Sequence, residues 1–94
     1  MKSVKDILTK LENADNSLKN EVENMLVECG TSAVPQLVDQ LQIVKGVKRG
    51  VVAMSLIRIG DASIECLENA AKNNKDFEWV AEYLIREIKG EIVA

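Results

Sequence analysis

Apolar residues recur along this chain at the three- and four-residue spacing of amphipathic helices. Three stretches show this spacing clearly, at Val4, Ile7, Leu8 and Leu11; at Val22, Met25, Leu26 and Cys29; and at Val34, Leu37, Val38 and Leu41. Residues spaced in this way line one face of a helix, which packs against a core. Turn-forming stretches at 13–17, 43–47 and 72–76 separate the helical ones. The pattern predicts an all-α chain of six helices without strands.

The apolar positions superimpose when the sequence is shifted against itself by thirty residues, or by twenty-eight for the last helix. The aligned sets are Val4, Val34 and Ile64; Ile7, Leu37 and Leu67; Leu11, Leu41 and Ala71; Val22, Val52 and Val80; and Leu26, Leu56 and Leu84. A repeat of this length is typical of helical hairpins that bury their apolar faces against their neighbours. We therefore predict one domain, 1–94, of three units at about 1–30, 31–60 and 61–90, with a short tail at 91–94.

Capping residues and glycines mark the boundaries of the units. Gly30 and Gly60 each stand between one unit and the next, where a helix commonly ends in a left-handed residue. Pro35 falls within the first turn of a helix, where its missing N–H costs little. Helix starts are predicted at Ser3 with Asp6, at Thr31 or Ser32, and at Asp61. The stretch 51–59, VVAMSLIRI, is apolar nearly all round, which predicts a helix covered on two sides.

The units also share a longer motif. In the middle copy it comprises Lys48, Arg49, Val52, Leu56, Ile59, Gly60, Asp61, Ile64 and Leu67, and GTSAVPQL at 30–37 is its closest local match. These residues resemble the short HEAT-like repeats first noted in phycobilisome lyases, V-R-x-x-A-x-x-x-L-x-x-I-G-D/S-x-x-A-V-P-x-L. The third copy departs from the pattern, with Phe77 where Arg or Lys is usual. The resemblance implies an α-solenoid of three stacked hairpins with a right-handed superhelix, whose second helices line a concave, ligand-facing side.

Composition narrows the classes of function. The formal net charge of −3 argues against binding nucleic acid through its phosphates. The chain has no histidine and no CxxC spacing, and we expect Cys29 in the core and Cys66 at an outward position. It also has no Gly-rich phosphate loop and no nucleophile motif, so we expect no enzyme, no cofactor and no metal site. Without a long apolar run or a signal-peptide core, we expect no membrane contact and a cytoplasmic location.

The resemblance aligns two columns of side chains along the second helices: Lys19, Arg49 and Phe77, and Glu28, Arg58 and Arg86. Guanidinium groups in a groove bind carboxylates through paired hydrogen bonds, so the arginines predict an acidic partner segment. The alternative is that Lys19 and Arg49 bind adjacent repeats or helix ends, and that the second column is only solvated. The three aromatic residues, Phe77, Trp79 and Tyr83, either anchor a partner or seal the end of the core.

The sequence thus predicts a non-enzymatic adaptor or scaffold that binds a protein on the concave face of its second helices. The expected contact residues are Lys19, Arg49, Met54, Ile57, Arg58, Arg86, Trp79 and Tyr83. Charge reversal at Arg49 and Arg58 is expected to weaken binding without lowering the melting temperature. The resemblance also suggests an alternative, an accessory subunit or relative of phycobilin lyases or other chromophore-protein maturation factors. A homodimer through the C-terminal end is left open.

Overall fold

The computed structural model describes residues 3–11 and 16–90 of the chain. Its α-helices are α1 (Val4–Leu8), α2 (Asn16–Cys29), α3 (Val34–Leu41), α4 (Val47–Ile59), α5 (Ile64–Asn73) and α6 (Glu78–Lys89). A 3₁₀ turn extends α1, and others precede α3, α5 and α6. No β-strand occurs among the described residues, so the all-α prediction is confirmed. The turn predicted at 13–17 lies largely outside these residues, and the tail at 91–94 lies wholly outside them.

The helices pack in two rows. α1, α3 and α5 contact one another in chain order, and α2, α4 and α6 do the same. Each helix of the first row also packs against the helix that follows it in the chain, α1 on α2, α3 on α4 and α5 on α6. α4 therefore has a second-row neighbour on each side and α3 beneath it, which confirms the prediction of a helix covered on two sides.

The core lies between the two rows and consists of aligned positions of the repeat. Three aligned sets are buried in every unit: Ile7, Leu37 and Leu67; Val22, Val52 and Val80; and Leu26, Leu56 and Leu84. In two further sets the members from the first and second units are buried, whereas Ile64 and Ala71 of the third unit are half-buried. Burial of each Leu, Ile or Val side chain contributes roughly 1.5–3 kcal/mol, so the repeated positions hold the two rows together.

The first helix begins where its capping residues predict. The Asp6 N–H donates to Ser3 Oγ at 3.2 Å, and the Ser3 N–H donates to Asp6 Oδ2 at 3.3 Å, which is a capping box. Pro35 lies in the first turn of α3, as predicted. Gly30 and Gly60 have positive φ angles of 69° and 88°, which confirms that each one lets the chain leave a second helix.

α3 and α5 begin one 3₁₀ turn later than predicted. The predicted starts were Thr31 or Ser32 and Asp61, and these residues lie in 3₁₀ turns instead. The turn before α5 is tied to α4, because the buried Ser63 hydroxyl donates to the Leu56 carbonyl at 2.9 Å. The same carbonyl also accepts the Gly60 N–H at 3.1 Å, so the end of α4 and the turn before α5 share one acceptor.

Candidate functional site

Large apolar side chains are exposed at five of the described positions, and four of these belong to α4 and α6. The exposed fractions are 40% for Val47, 48% for Met54, 68% for Trp79 and 55% for Tyr83. Spacings of seven residues in α4 and of four in α6 place each pair on one side of its helix. We call these four side chains the second-row surface. The fifth residue, Ile43, lies in the connection between α3 and α4.

A shallow groove lies between α2 and α4. Lys19 and Glu23 line it from α2, and Gly50 and Met54 line it from α4. A Cβ added to Gly50 would meet no heavy atom within 4 Å, so the backbone of α4 is open at this point. The groove brings together Lys19 and Met54, two of the predicted contact residues. The two glycines of the stretch 46–50 predict a turn between helices, and this prediction is wrong for Gly50, which lies inside α4.

Arg58 is held by α2 instead of standing free. Its Nη1 donates to Glu23 Oε2 at 2.6 Å and to Asn24 Oδ1 at 2.8 Å. The Arg58 side chain is 41% exposed and that of Glu23 is 19% exposed. The expectation that this column is only solvated is therefore wrong for Arg58, because its charge is compensated across the boundary between the first and second units.

The three arginines of the predicted site do not share a groove. Arg49 lines a groove beside the connections that precede α4 and α6, together with Asp76. Arg86 lines a different groove, between α5 and α6, together with Glu68. Arg58 is engaged on α2. The structure thus distributes these charges over separate parts of the surface.

The aromatic cluster divides into a buried part and an exposed part. Phe77 is only 4% exposed and ends the 3₁₀ turn before α6, so its predicted place in a surface column is wrong. It lies three residues before Val80 and seven before Leu84, on the face of α6 that is buried. Phe77 therefore seals the core, whereas Trp79 and Tyr83 project outside it.

Three other expectations about single side chains change. Cys29, the last residue of α2, is exposed and not in the core, and Ile59, the aligned residue at the end of α4, is only half-buried. Cys66 is half-buried and lines a groove between α3 and α5. Ile57, which was expected to offer apolar area to a partner, is half-buried against the core.

Within 3–11 and 16–90, no group of three or more His, Cys, Asp and Glu side chains is arranged to hold a metal ion. The same residues contain no helix whose length and apolar content would allow it to cross a membrane. Comparison with known proteins finds no matching family, no matching curated protein and no matching solved structure. The resemblance to HEAT-like repeats remains a prediction from the motif and the thirty-residue period of the sequence.

Proposed function

We propose that this chain is a non-enzymatic protein-interaction module that binds a partner through the exposed side of α4 and α6. The observation that carries the proposal is the second-row surface, Val47, Met54, Trp79 and Tyr83. Trp, Tyr and Met are enriched at protein interfaces, where they supply large apolar area. Burying these side chains against a partner removes apolar area from water, which favours association.

The architecture that we propose for this module is a HEAT-like solenoid of three hairpins with a right-handed superhelix. The two rows of helices support it, as does the burial of the same positions in successive units. In such a stack the second helices line the concave side, and the four residues of the second-row surface belong to second helices. A preformed surface loses little conformational entropy on binding, so it favours affinity.

We assign the anchoring role to the apolar residues and a secondary role to the arginines. Arg58 already donates to Glu23 and Asn24, and a partner carboxylate would have to compete with them. Arg49 and Arg86 line separate grooves, so they do not form one binding site with Arg58. No groove or side-chain cluster of the described residues specifically favours the accessory role beside phycobilin lyases.

The test compares the proteins that tagged variants capture from extracts of the source cells. Met54→Ser/Trp79→Ala/Tyr83→Ala removes three members of the second-row surface. Ile43→Ser is the matched control, because Ile43 is 68% exposed but lies outside that surface. We expect the wild type and the control to capture the same protein, identified by mass spectrometry, and the triple variant to lose it. Equal helicity by circular dichroism shows that all three proteins are folded.

Two outcomes would count against this assignment. If the triple variant still captures the partner, the partner binds elsewhere. If the variant Arg49→Glu/Arg86→Glu then fails to capture it, the binding site includes these arginines. A wild-type protein that captures nothing beyond the background of an unrelated helical protein would contradict the proposed function as a whole.

A further inference from the structure

The third unit carries aromatic rings at positions where the repeat does not require them. Trp79 and Tyr83 of α6 align with Val51 and Ser55 of α4. Val51 and Ser55 are buried, whereas both aromatic side chains are mostly exposed. α6 is held in the fold by another face, which carries its buried residues. The packing of the stack therefore does not explain why a tryptophan and a tyrosine stand one helical turn apart on this surface.

Two carboxylates flank Trp79. Glu78 precedes it, Glu82 follows three residues later, and both side chains are exposed. They align with Gly50 and Met54 of α4, so the repeat does not require a charge at either position. Neither glutamate forms an ion pair in the part of the chain that the structure describes. Glu78 lies in the first turn of α6, where the helix dipole favours a carboxylate, but Glu82 lies beyond it.

We infer that Trp79, Tyr83, Glu78 and Glu82 form a docking site for a basic segment of a partner protein. A cation above the face of an indole or phenol ring is attracted by the ring's quadrupole. Carboxylates beside the ring add charge-assisted hydrogen bonds to the same cation. An arginine fits this arrangement better than a lysine, because the planar guanidinium both stacks on the ring and pairs with a carboxylate.

This inference rests on the proposed function for the surface and adds the charge of the partner. The sign is opposite to that of the acidic segment predicted from the arginine columns. Charge complementarity supports it, because three glutamates, Glu68, Glu78 and Glu82, outnumber the two cations, Lys72 and Arg86, that line the same groove between α5 and α6. Trp79 lies beside this groove, one residue after Glu78 and three before Glu82. Arg86 would repel a long run of cations along α6, so the matching segment presents only a few basic side chains to the first two turns of α6.

Intrinsic fluorescence monitors this site directly, since Trp79 is the single tryptophan of the chain. The fluorescence of Trp79 is followed while the full-length protein is titrated with an eight-residue peptide of alternating arginine and glycine. A glutamate–glycine peptide of the same length is the comparison probe. We expect a saturable change in emission with the arginine peptide only, and a weaker affinity as the salt concentration rises.

Two double variants separate the site from the overall charge. Glu78→Gln/Glu82→Gln is expected to lower the affinity for the arginine peptide at least about fivefold, since it removes both carboxylates that form charge-assisted hydrogen bonds. Glu28→Gln/Glu65→Gln removes the same charge from exposed positions on α2 and α5 and is expected to have a much smaller effect. Tyr83→Ala is expected to weaken binding, and Tyr83→Phe, which keeps the ring, is expected to retain most of it.

The inference is overturned if the two double variants lower the affinity for the arginine peptide equally, because the overall charge of the protein would then explain the attraction. It is also overturned if the arginine peptide causes no saturable change, or if only the glutamate peptide binds. In these last two cases the proposed function stands as long as Met54→Ser/Trp79→Ala/Tyr83→Ala still loses the captured partner. The failure of the inference and the failure of the proposed function are therefore separable.

Discussion

At the scale of single residues, two glycines of the middle unit have opposite consequences for stability. Gly60 ends α4 with φ 88° and ψ −141°, a conformation that residues with a Cβ rarely adopt. Gly50 lies inside α4 with open space around its Cβ position, and it is not among the glycines with positive φ. Gly60 thus makes the exit from α4 possible, whereas Gly50 weakens a helix without filling any need of the packing.

Replacing each glycine by alanine tests this difference. Gly50→Ala is expected to raise the free energy of unfolding by about 0.4–1 kcal/mol, because alanine restricts the unfolded chain and favours the helix. Gly60→Ala is expected to lower it by about 1–3 kcal/mol, because the alanine would be strained at a positive φ. Urea denaturation of both variants beside the wild type measures the two changes. A neutral Gly60→Ala would show that this turn can relax to another conformation.

Burial was easiest to predict at positions where all three units carry a large aliphatic residue. Leu26, Leu56 and Leu84 define the same buried face three times, so that face was predictable. Cys29 and Phe77 were predicted wrongly because the alignment assumes that equivalent positions of different units are equally buried. Cys29 is the last residue of its helix, and the aligned Ile59 is also not fully buried, so helical spacing overstates burial at this position. The apolar ring of Phe77 is buried, whereas the aligned Arg49 is half-buried beside a groove.

At the scale of helices, α2 and α4 are joined across a unit boundary by the contacts of Arg58 with Glu23 and Asn24. Sequence reasoning could not predict these contacts, because Arg58 and Glu23 are 35 residues apart and their pairing depends on how the two helices cross. The ion pair also changes an expectation for Arg58→Glu. A glutamate there would face Glu23, so this substitution is expected to lower the melting temperature.

A double-mutant cycle measures the strength of the bridge between α2 and α4. Arg58→Ala, Glu23→Ala and the combined variant are compared with the wild type by urea denaturation. We expect a coupling free energy of about 0.2–1 kcal/mol, because the pair is partly exposed to water and its charges are screened. The coupling is expected to shrink at high salt. A coupling of zero at low salt would show that the ion pair adds no stability to the contact between the two helices.

At the scale of the whole molecule, the outer face of the third unit differs from the faces between units. Leu8, Val38 and Glu68 occupy the same position of the three units. Leu8 and Val38 are buried, whereas Glu68 is exposed and lines the groove between α5 and α6 with Ala71 and Ile85. Repeat stacks need polar outer faces to stay soluble, so Glu68 opposes the stacking of a further apolar surface at this end.

Replacing Glu68 by an apolar residue is expected to promote self-association through this face of the third unit. Glu68→Leu adds an apolar side chain beside Ala71 and Ile85, so we expect self-association to strengthen at least about tenfold relative to the wild type. Sedimentation equilibrium at several protein concentrations measures the change. Glu65→Leu is the control, because Glu65 is exposed on α5 but does not line this groove. Equal association of both variants would assign the effect to general hydrophobicity, and not to the end face.

The middle position of α3 and α4 has a consequence for how the molecule opens. Each of these helices packs against its neighbours in both outer units, and the main contacts between units all involve the middle one. In an array with such nearest-neighbour coupling, an outer hairpin can unfold while the other two stay folded, but loss of the middle hairpin releases both ends together. We therefore expect thermal opening to begin at the outer units, so that α6, with Trp79 and Tyr83, opens more often than α4.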